Sequence, residues 1–305
     1  MLREYIQKRV SKESTITATH KPATIIFKNE DLNISANMPC VIAGKKGSGK
    51  TSFINGLIDG CYENKQYDNV IYIYVNSIDD NLNENVTRVS IDDAEELLNH
   101  FFEIKNRFNS CVKFLLNLRE SNFNKRELTL KDFMGKYNDN TLEEIANEIN
   151  IRAPNDHELL VKDLLDYAVE FIKMHKKSFY ITIGKHKHLI RGFTYDCRDL
   201  VVIDDIAIAA NILFKSQRKN KIYKYFTLTR HLNVCIILAC QEISQVPKMI
   251  RKEIDTWIIA RHTNTDFLDD IISKKNLMKL QDAQGKLNPY EFAVLNLTNS
   301  EVRIV

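Results

Sequence analysis

Residues 44–51 have the composition and spacing of a loop that binds phosphate groups. They read Gly44-Lys45-Lys46-Gly47-Ser48-Gly49-Lys50-Thr51, which fits the pattern G-x-x-x-x-G-K-S/T at every fixed position. Backbone N–H groups must turn inward around a phosphate, and this requires glycine dihedrals and a close approach of the backbone. A helix predicted to begin near Lys50 would direct the positive end of its dipole at the same anion. The spacing therefore predicts a site for a nucleoside triphosphate.

The loop also predicts which residues contact ATP and Mg²⁺. The ammonium group of Lys50 would reach the β- and γ-phosphates, and the hydroxyl group of Thr51 would bind Mg²⁺. An ordinary glycine turn with an exposed lysine is the alternative, but an apolar strand precedes the loop and helix-compatible sequence follows it. The predicted nucleotide-binding residues are Gly44, Lys45, Lys46, Gly47, Ser48, Gly49, Lys50, Thr51 and Ser52.

A pair of acids follows a short apolar strand, residues 200–203. A buried strand would deliver Asp204 beside the loop, where it can hold Mg²⁺ through water, and Asp205 could orient the attacking water or accept its proton. Many ATPases have glutamate as the second acid, so the shorter Asp205 is a departure. The alternative is a strand end whose acids begin the next helix. Residues 79–80, also an acid pair, are a weaker rival because three residues separate them from their strand.

A third polar position ends the apolar strand at residues 234–239. Gln241 follows that strand, and its amide could contact the γ-phosphate or hold the attacking water. Glutamine at a strand end is also common in proteins where it has no function. The position of Gln241 therefore indicates a role only together with the other motifs.

Strand and helix patterns alternate along the chain. Apolar runs predict strands at 23–27, 39–43, 69–75, 200–203, 234–239, 257–260 and 292–295. Helical patterns cover 50–62, 92–102 and 157–177, with Ser90 as a cap for the second, and a further helix is predicted just before Arg230. Residues 179–183 and 188–193 predict a hairpin. We expect an α/β P-loop NTPase with a mainly parallel central sheet flanked by helices. Residues 1–36 would form an N-terminal extension and 37–305 the ATPase domain, with an α+β insertion at about 104–197.

The composition excludes several classes of protein. The 305 residues carry 43 Lys and Arg against 40 Asp and Glu, and 44% of them are hydrophobic, as in folded chains. No apolar run is long enough for a membrane span, and the N-terminus lacks the apolar core of a signal peptide. The six scattered cysteines predict reduced, buried thiols.

Several of these motifs together resemble the poxvirus-type DNA-packaging ATPases of the FtsK/HerA superfamily. The resemblance consists of the loop at 44–51, Ile203-Asp204-Asp205, Arg230-His231-Leu232-Asn233, Gln241 and Val246-Pro247, in that order. Residues 72–98 also fit the second strand, acidic loop and helix of that family. The match covers roughly residues 36–100 and 198–262, and leaves the predicted insertion uncovered.

The resemblance implies a motor that hydrolyses ATP and moves double-stranded DNA into a preformed viral capsid. It implies a homo-oligomeric ring of five or six subunits and a capsid or portal-vertex protein as partner. The protein would be located in the host cytoplasm at viral assembly sites and would associate with the virion rather than being secreted. Gln241 would be the sensor of the γ-phosphate. Arg230 would be the finger that enters the neighbouring site, with Arg251 and Arg261 as alternatives; an ordinary surface arginine is the competing interpretation for each.

Two segments of the chain contain lysine and arginine but no aspartate or glutamate, so the remaining residues together carry a net negative charge. A translocase can grip the DNA backbone with Lys and Arg alone. The predicted DNA contacts are Lys176, Lys177, Lys185, Lys187 and Arg191 in the first segment, and Lys215, Arg218, Lys219 and Lys221 in the second. Solvated helix and turn surface is the alternative for both segments.

Other functions stay open at this point. The chain could be another P-loop enzyme, such as a DNA helicase-like motor or a small-molecule kinase, or a nucleotide-gated adaptor that does not hydrolyse ATP. No arginine lid for a kinase is recognisable, and the acid pair with Gln241 disfavours the adaptor. We expect no nuclease domain, because the sequence ends soon after its last predicted strand.

Overall fold

The computed structural model describes residues 24–27, 30–35, 37–75, 82–120, 157–194, 197–214 and 221–305. The chain divides into two compact units. The described part of the smaller unit comprises residues 101–120, 157–179 and 191–194, and the larger unit holds the remaining described residues. The predicted extension at 1–36 and insertion at about 104–197 stay predictions.

The larger unit is built on an eight-stranded sheet. Side by side, its strands are β12 (Glu301–Ile304), β11 (Phe292–Asn296), β10 (Thr256–Ala260), β3 (Cys40–Ala43), β9 (Val234–Cys240), β8 (Asp199–Ile203), β4 (Asn69–Tyr74) and β5 (Thr87–Ser90). All strands from β10 to β5 pair in parallel, whereas β11 and β12 are antiparallel at one edge. The predicted, mainly parallel α/β sheet is therefore confirmed.

The central strands are apolar throughout because both faces of the sheet are covered. Every residue of β3, β8, β9 and β10 is buried. Trp257 in β10 is the largest of the fully buried side chains, and it pairs with Val41 of β3. The sheet core therefore includes the strand that leads into the phosphate loop.

The described helices are α1 (Lys50–Glu63), α2 (Ile91–Glu120), α3 (His157–His175), α4 (Ile206–Leu213), α5 (Lys221–Leu232), α6 (Lys248–Arg251) and α7 (Lys274–Gly285). Short 3₁₀ turns lie at Ile243–Gln245 and Asp266–Leu268. Two antiparallel pairs form separate two-stranded sheets: β1 (Thr24–Phe27) with β2 (Glu30–Ser35), and β6 (Phe179–Ile183) with β7 (His186–Ile190). None of the described helices combines the length and the apolar character needed to cross a bilayer.

Two predicted elements differ from the structure. Helix α2 does not end near residue 102 but continues to Glu120, because Phe108, Val112 and Leu115 extend a buried apolar stripe at helical spacing. The second arm of the hairpin runs from residue 186 to 190 rather than from 188 to 193. Gly184 adopts a φ of +54°, which permits a tighter turn than the sequence suggested.

The smaller unit has an aromatic core around Phe193. Its ring centroid lies 5.7 Å from that of Phe101 and 5.6 Å from those of Phe108 and Phe179, in tilted or edge-on geometry. The Lys105 ammonium lies over the Phe193 ring, 5.0 Å from its centroid. These contacts tie α2, the start of β6 and the segment after β7 together.

Candidate nucleotide-binding site

The predicted catalytic segments follow three neighbouring strands of the sheet. The phosphate loop follows β3, Gln241 follows β9, and Asp204 with Asp205 follows β8. Because these strands are parallel, their carboxyl ends lie at the same edge, which is where ligands bind in open α/β sheets. The fold therefore brings together segments that are far apart in the sequence.

Three glycines of the loop have backbone positions that a side chain would disturb. Gly47 and Gly49 adopt left-handed φ values of +81° and +88°. A Cβ atom on Gly44 would lie 2.6 Å from Ala260 Cβ, so only glycine fits against β10 at this point. The Gly44 N–H donates to the Cys240 carbonyl over 3.1 Å, which anchors the loop to the end of β9.

The start of α1 can receive an anion. Gly49 precedes the helix and offers no side-chain cap, and the first turn contains no acidic residue. Uncapped N–H groups and the positive end of the helix dipole therefore point toward the loop. Thr51 and Ser52, in the same turn, line the cavity described below.

Lys50 lies folded over the loop. Its Nζ donates to the carbonyl oxygens of Gly44, over 2.5 Å, and of Lys45, over 3.2 Å. Burial lowers the pKa of Lys50 from its ordinary value, while Cys240, Asp204 and Asp205 oppose this shift. A triphosphate in the loop would offer the same ammonium group stronger, charged acceptors than these carbonyls.

Asp204 is held by hydrogen bonds to both of its carboxylate oxygens. The Tyr72 hydroxyl donates to Oδ2 over 2.7 Å, and the Asp205 N–H donates to Oδ1 over 2.9 Å. Tyr72 is almost fully buried in β4, the strand beside β8. These two hydrogen bonds therefore fix the orientation of the carboxylate, as hydrogen-bond partners of metal-binding carboxylates commonly do.

We predict that Tyr72→Phe raises the Mg²⁺ concentration needed for half-maximal ATP hydrolysis about tenfold, because loss of a hydrogen bond behind a metal ligand typically costs this much. Titration of hydrolysis with Mg²⁺ measures the effect. ATP binding measured without Mg²⁺ should stay as in the original chain. Tyr62→Phe is the matched control, since the Tyr62 hydroxyl bonds to the Asn85 carbonyl outside the cavity. An unchanged Mg²⁺ requirement in Tyr72→Phe would contradict the positioning role.

Asp205 has an unusual backbone and an unused oxygen. Its φ of +51° places it in the left-handed region just before α4, and its side chain does not cap that helix. The Oδ1 atom is buried and has no hydrogen-bond partner among the described residues, and the residue lines the cavity. A buried carboxylate oxygen without a partner needs a ligand or a water molecule, which fits the predicted role.

Gln241 is exposed at the end of β9 and lines the cavity. Its position is set by a residue that the motif did not indicate. The Gln245 side chain accepts hydrogen bonds from the N–H groups of Gln241, over 2.9 Å, and Glu242, over 3.1 Å. The Gln245 side chain therefore holds the backbone of the turn after β9, and these bonds do not involve the Gln241 side-chain amide.

These groups surround one cavity of about 780 Å³. Its lining comprises Lys46, Gly47, Gly49, Lys50, Thr51, Ser52, Tyr72, Tyr74, Val75, Asp204, Asp205, Ala239, Cys240, Gln241 and Tyr290. Of the predicted nucleotide-binding residues, Gly44, Lys45 and Ser48 form the loop but are not part of this lining. A volume of this size accommodates a nucleoside triphosphate.

The residues present fit Mg²⁺. Thr51 and Asp204 bring hydroxyl and carboxylate oxygens to the same cavity, and Mg²⁺ prefers such hard oxygen ligands. Among the described residues, no cluster of three or more His, Cys, Asp or Glu side chains could hold a metal ion by itself. Mg²⁺ usually keeps several waters and is bound by one or two carboxylates together with substrate phosphates.

The cysteines behave as predicted. All six are free and buried. Cys240 lies at the cavity, and burial raises the pKa of its thiol to about 12 although Lys50 acts in the opposite direction. The thiol therefore stays protonated and acts as a small apolar wall of the site.

The candidate finger arginines lie at different edges of the sheet. Arg230 is exposed near the end of α5, and its Nε contacts Met38 Sδ, just before β3 begins. It therefore lies at the amino end of the parallel strands, opposite its own phosphate loop. Arg251 donates to the Phe267 carbonyl over 3.1 Å. Arg261 is exposed directly after β10, at the edge that holds the cavity.

The predicted DNA-contacting bases are exposed wherever their side chains are described. Lys176, Lys177 and Arg191 belong to the smaller unit, and Lys185 and Lys187 to the larger one. Lys215, Arg218 and Lys219 lie outside the described residues, as does the side chain of Lys221.

The β6–β7 hairpin, which presents Lys185 and Lys187, has a fixed place beside the sheet. The ring nitrogen Nδ1 of His186 lies 2.7 Å from Asp93 Oδ2, and the Thr87 hydroxyl donates to the Leu189 carbonyl over 2.7 Å. The two lysines are therefore held on an anchored turn rather than on a free loop.

Comparison with known proteins gives one family model. The model described as zonular occludens toxin (Zot) matches residues 142–269. The matched stretch contains β8, α5, β9 and β10, and thus the acid pair and Gln241. It covers less than half of the chain and leaves out the phosphate loop. A search of curated proteins finds no match.

Solved structures add distant likenesses. The chain is similar to B204, the DNA-packaging ATPase from Sulfolobus turreted icosahedral virus, with 16% identity and a TM-score of 0.41 over 88% of this chain and 96% of that chain. It is also similar to the genome packaging NTPase B204 from Sulfolobus turreted icosahedral virus 2, solved with ATP-gammaS. That match has 15% identity and a TM-score of 0.43, and covers 89% of this chain and 98% of that chain. A third similar structure is the pCW3 conjugation coupling protein TcpA, with 12% identity and a TM-score of 0.43 over 96% of this chain and 67% of that chain.

The poxvirus type of the resemblance stays a prediction. The assignment of the fold rests on the sheet order and the phosphate loop of this chain itself.

Proposed function

We propose that this protein is an ATP-hydrolysing motor that moves double-stranded DNA into a preformed viral capsid. The observation that supports hydrolysis most strongly is the convergence of four groups on one cavity: the loop lysine Lys50, the acids Asp204 and Asp205, and Gln241. A protein that only binds nucleotide has no need of a buried, unpartnered carboxylate beside the phosphate loop.

The proposed chemistry assigns one task to each group. The loop and Lys50 hold the phosphates, and Mg²⁺ bound with Thr51 and Asp204 would neutralise their charge. Water attacks the γ-phosphorus, the bond to the bridging oxygen of ADP breaks, and Asp205 accepts the proton of the water. The Gln241 amide orients that water or contacts the γ-phosphate. The products are ADP and inorganic phosphate.

The proposed assembly is a homo-oligomeric ring of five or six subunits. Within one subunit, Arg230 lies at the sheet edge away from the cavity, so it can act only on a neighbouring site. Arg261 is the alternative, because it lies at the same edge as the cavity. The proposed setting is the host cytoplasm at viral assembly sites and the virion, with a capsid or portal-vertex protein as partner.

The experiment that tests this proposal is an ATPase assay with and without double-stranded DNA, run alongside native mass determination. We expect release of ADP and phosphate, stimulation by DNA of any sequence, and a mass of several subunits. Absence of hydrolysis would favour the nucleotide-gated adaptor, and transfer of phosphate to an acceptor would favour a kinase. Hydrolysis that DNA leaves unchanged would contradict the DNA motor.

Neutralising the hairpin tip should weaken DNA binding by an electrostatic route. We expect the double variant Lys185→Ala/Lys187→Ala to bind DNA more weakly, with the slope of log affinity against log salt reduced by about 2, since each phosphate contact contributes roughly 0.9. DNA titrations at several salt concentrations measure this slope. Lys274→Ala/Lys275→Ala is the matched control, because both lysines are exposed at the start of α7. Equal slopes for the original chain and the hairpin variant would contradict the role.

A further inference from the structure

Tyr290 is an exposed aromatic residue at the rim of the cavity. It belongs to the turn between α7 and β11, has 74% of its surface exposed, and lines the cavity together with the phosphate loop. Its φ is +71°, a conformation that is a genuine outlier for a bulky residue. Nothing in the phosphate-loop chemistry described above uses this side chain.

The turn that presents Tyr290 is fixed by its neighbours. The backbone N–H of Asn288 donates to Glu291 Oε2 over 2.7 Å, and the Asn288 side-chain amide donates to Oε1 over 3.0 Å. The Glu291 N–H donates back to the Asn288 carbonyl over 3.2 Å. These hydrogen bonds close the turn around residues 289 and 290, so the unusual backbone of Tyr290 is held without a ligand.

The ring of Tyr290 lies against the start of α1. A Cβ atom built on Gly49 would be 3.1 Å from Tyr290 Cδ1, with the Tyr290 Cβ and Cγ atoms within 4 Å. The ring therefore flanks the point at which the loop passes into the helix. Glycine at this position provides both the left-handed φ and the space that the ring occupies.

The order of strands shows which end of a nucleotide lies near this ring. Asp204, Asp205 and Gln241 follow β8 and β9, on one side of β3, so the γ-phosphate must point to that side. Tyr290 precedes β11, which lies on the other side of β3, beyond β10. A triphosphate threaded through the loop therefore has its nucleoside end on the side of Tyr290.

We infer that Tyr290 is the platform on which the purine base of the bound nucleotide stacks. The inference rests on the proposed nucleotide-binding function and names the residue that recognises the nucleoside part of the substrate. Stacking on one aromatic face tolerates different bases, because every base has a π-face. The site is therefore expected to bind ATP and GTP with similar affinity.

Binding measurements with ATP, GTP and inorganic tripolyphosphate test this role, with Tyr290→Ala and Tyr290→Phe as variants. Tyr290→Ala should lower the affinity for ATP and for GTP about tenfold, within the range for loss of one stacked base, and leave tripolyphosphate affinity unchanged. Tyr290→Phe keeps the ring and should retain the original affinities. Tyr180→Ala is the matched control, because Tyr180 is 62% exposed in β6 and is not part of the cavity lining.

Three results would overturn the inference. The first is unchanged ATP affinity in Tyr290→Ala, and the second is an equal loss of tripolyphosphate affinity, which would show that the ring only supports the loop. If Tyr290→Ala does not fold, Tyr290→Leu replaces it, and the same two outcomes apply. The third is an original chain that binds neither ATP nor tripolyphosphate, which would overturn the proposed function as well and is distinguishable from the other two.

Discussion

Replacing Asp205 with asparagine is expected to lower the turnover of ATP by 10²- to 10⁴-fold, the contribution that a general base typically makes, while ATP binding stays close to that of the original chain. Asparagine keeps the shape of the side chain but cannot accept the proton of the attacking water. The Oδ1 atom of Asp205 is buried without a partner among the described residues, so no hydrogen bond from another side chain occupies the oxygen that would accept this proton.

The choice of asparagine also respects the backbone. Asp205 has a φ of +51°, and asparagine tolerates this left-handed conformation better than most other residues. Phosphate release measures turnover, and titration with ATP measures binding. Asp269→Asn is the matched control, because Asp269 is exposed and is not part of the cavity lining. Unchanged turnover in Asp205→Asn would remove Asp205 from the mechanism.

Lys50→Ala is expected to weaken ATP binding about 100-fold, because hydrogen bonds to a charged group contribute up to about 3 kcal/mol. Hydrolysis should fall with binding, since the same ammonium contacts the transferred phosphate. The carbonyls of Gly44 and Lys45 also lose their donor in this variant. Titration with ATP measures the effect, and Lys274→Ala provides a control at an exposed lysine.

The same lysine should set the alkaline limit of ATP binding. Burial lowers the pKa of Lys50 from its ordinary value, and only the charged form binds phosphate well. Affinity should therefore fall as pH rises through this lowered pKa, below the ordinary lysine value of about 10.4. Lys50→Arg stays charged and should shift that fall to higher pH. Wild-type affinity in Lys50→Ala, or a fall at the same pH in Lys50→Arg, would contradict the assignment.

Local sequence was sufficient to predict the phosphate loop and the central strands. The loop is a contiguous motif, and the backbone requires glycine at the positions where the motif has glycine. The strands β3, β8, β9 and β10 are buried on both faces, so their apolar runs are visible without any knowledge of the fold.

Residues that depend on long-range pairing could not be predicted in this way. The hydrogen bond from Tyr72 to Asp204 exists only because β4 pairs with β8, and a tyrosine in an apolar strand looks like ordinary core. Tyr290 reaches the loop because β11 turns back antiparallel beside β10. The place of Arg230 at the opposite sheet edge is likewise a property of the strand directions, not of its sequence motif.

The burial of Trp257 has a practical consequence for studies of this protein. It is the single tryptophan of the chain, it is fully buried, and it pairs with Val41 in the strand that leads into the phosphate loop. Its emission should therefore be that of an indole shielded from water, and should shift to the red when β3 and β10 separate. Intrinsic fluorescence thus reports, without any label, on the pair of strands beneath the phosphate loop.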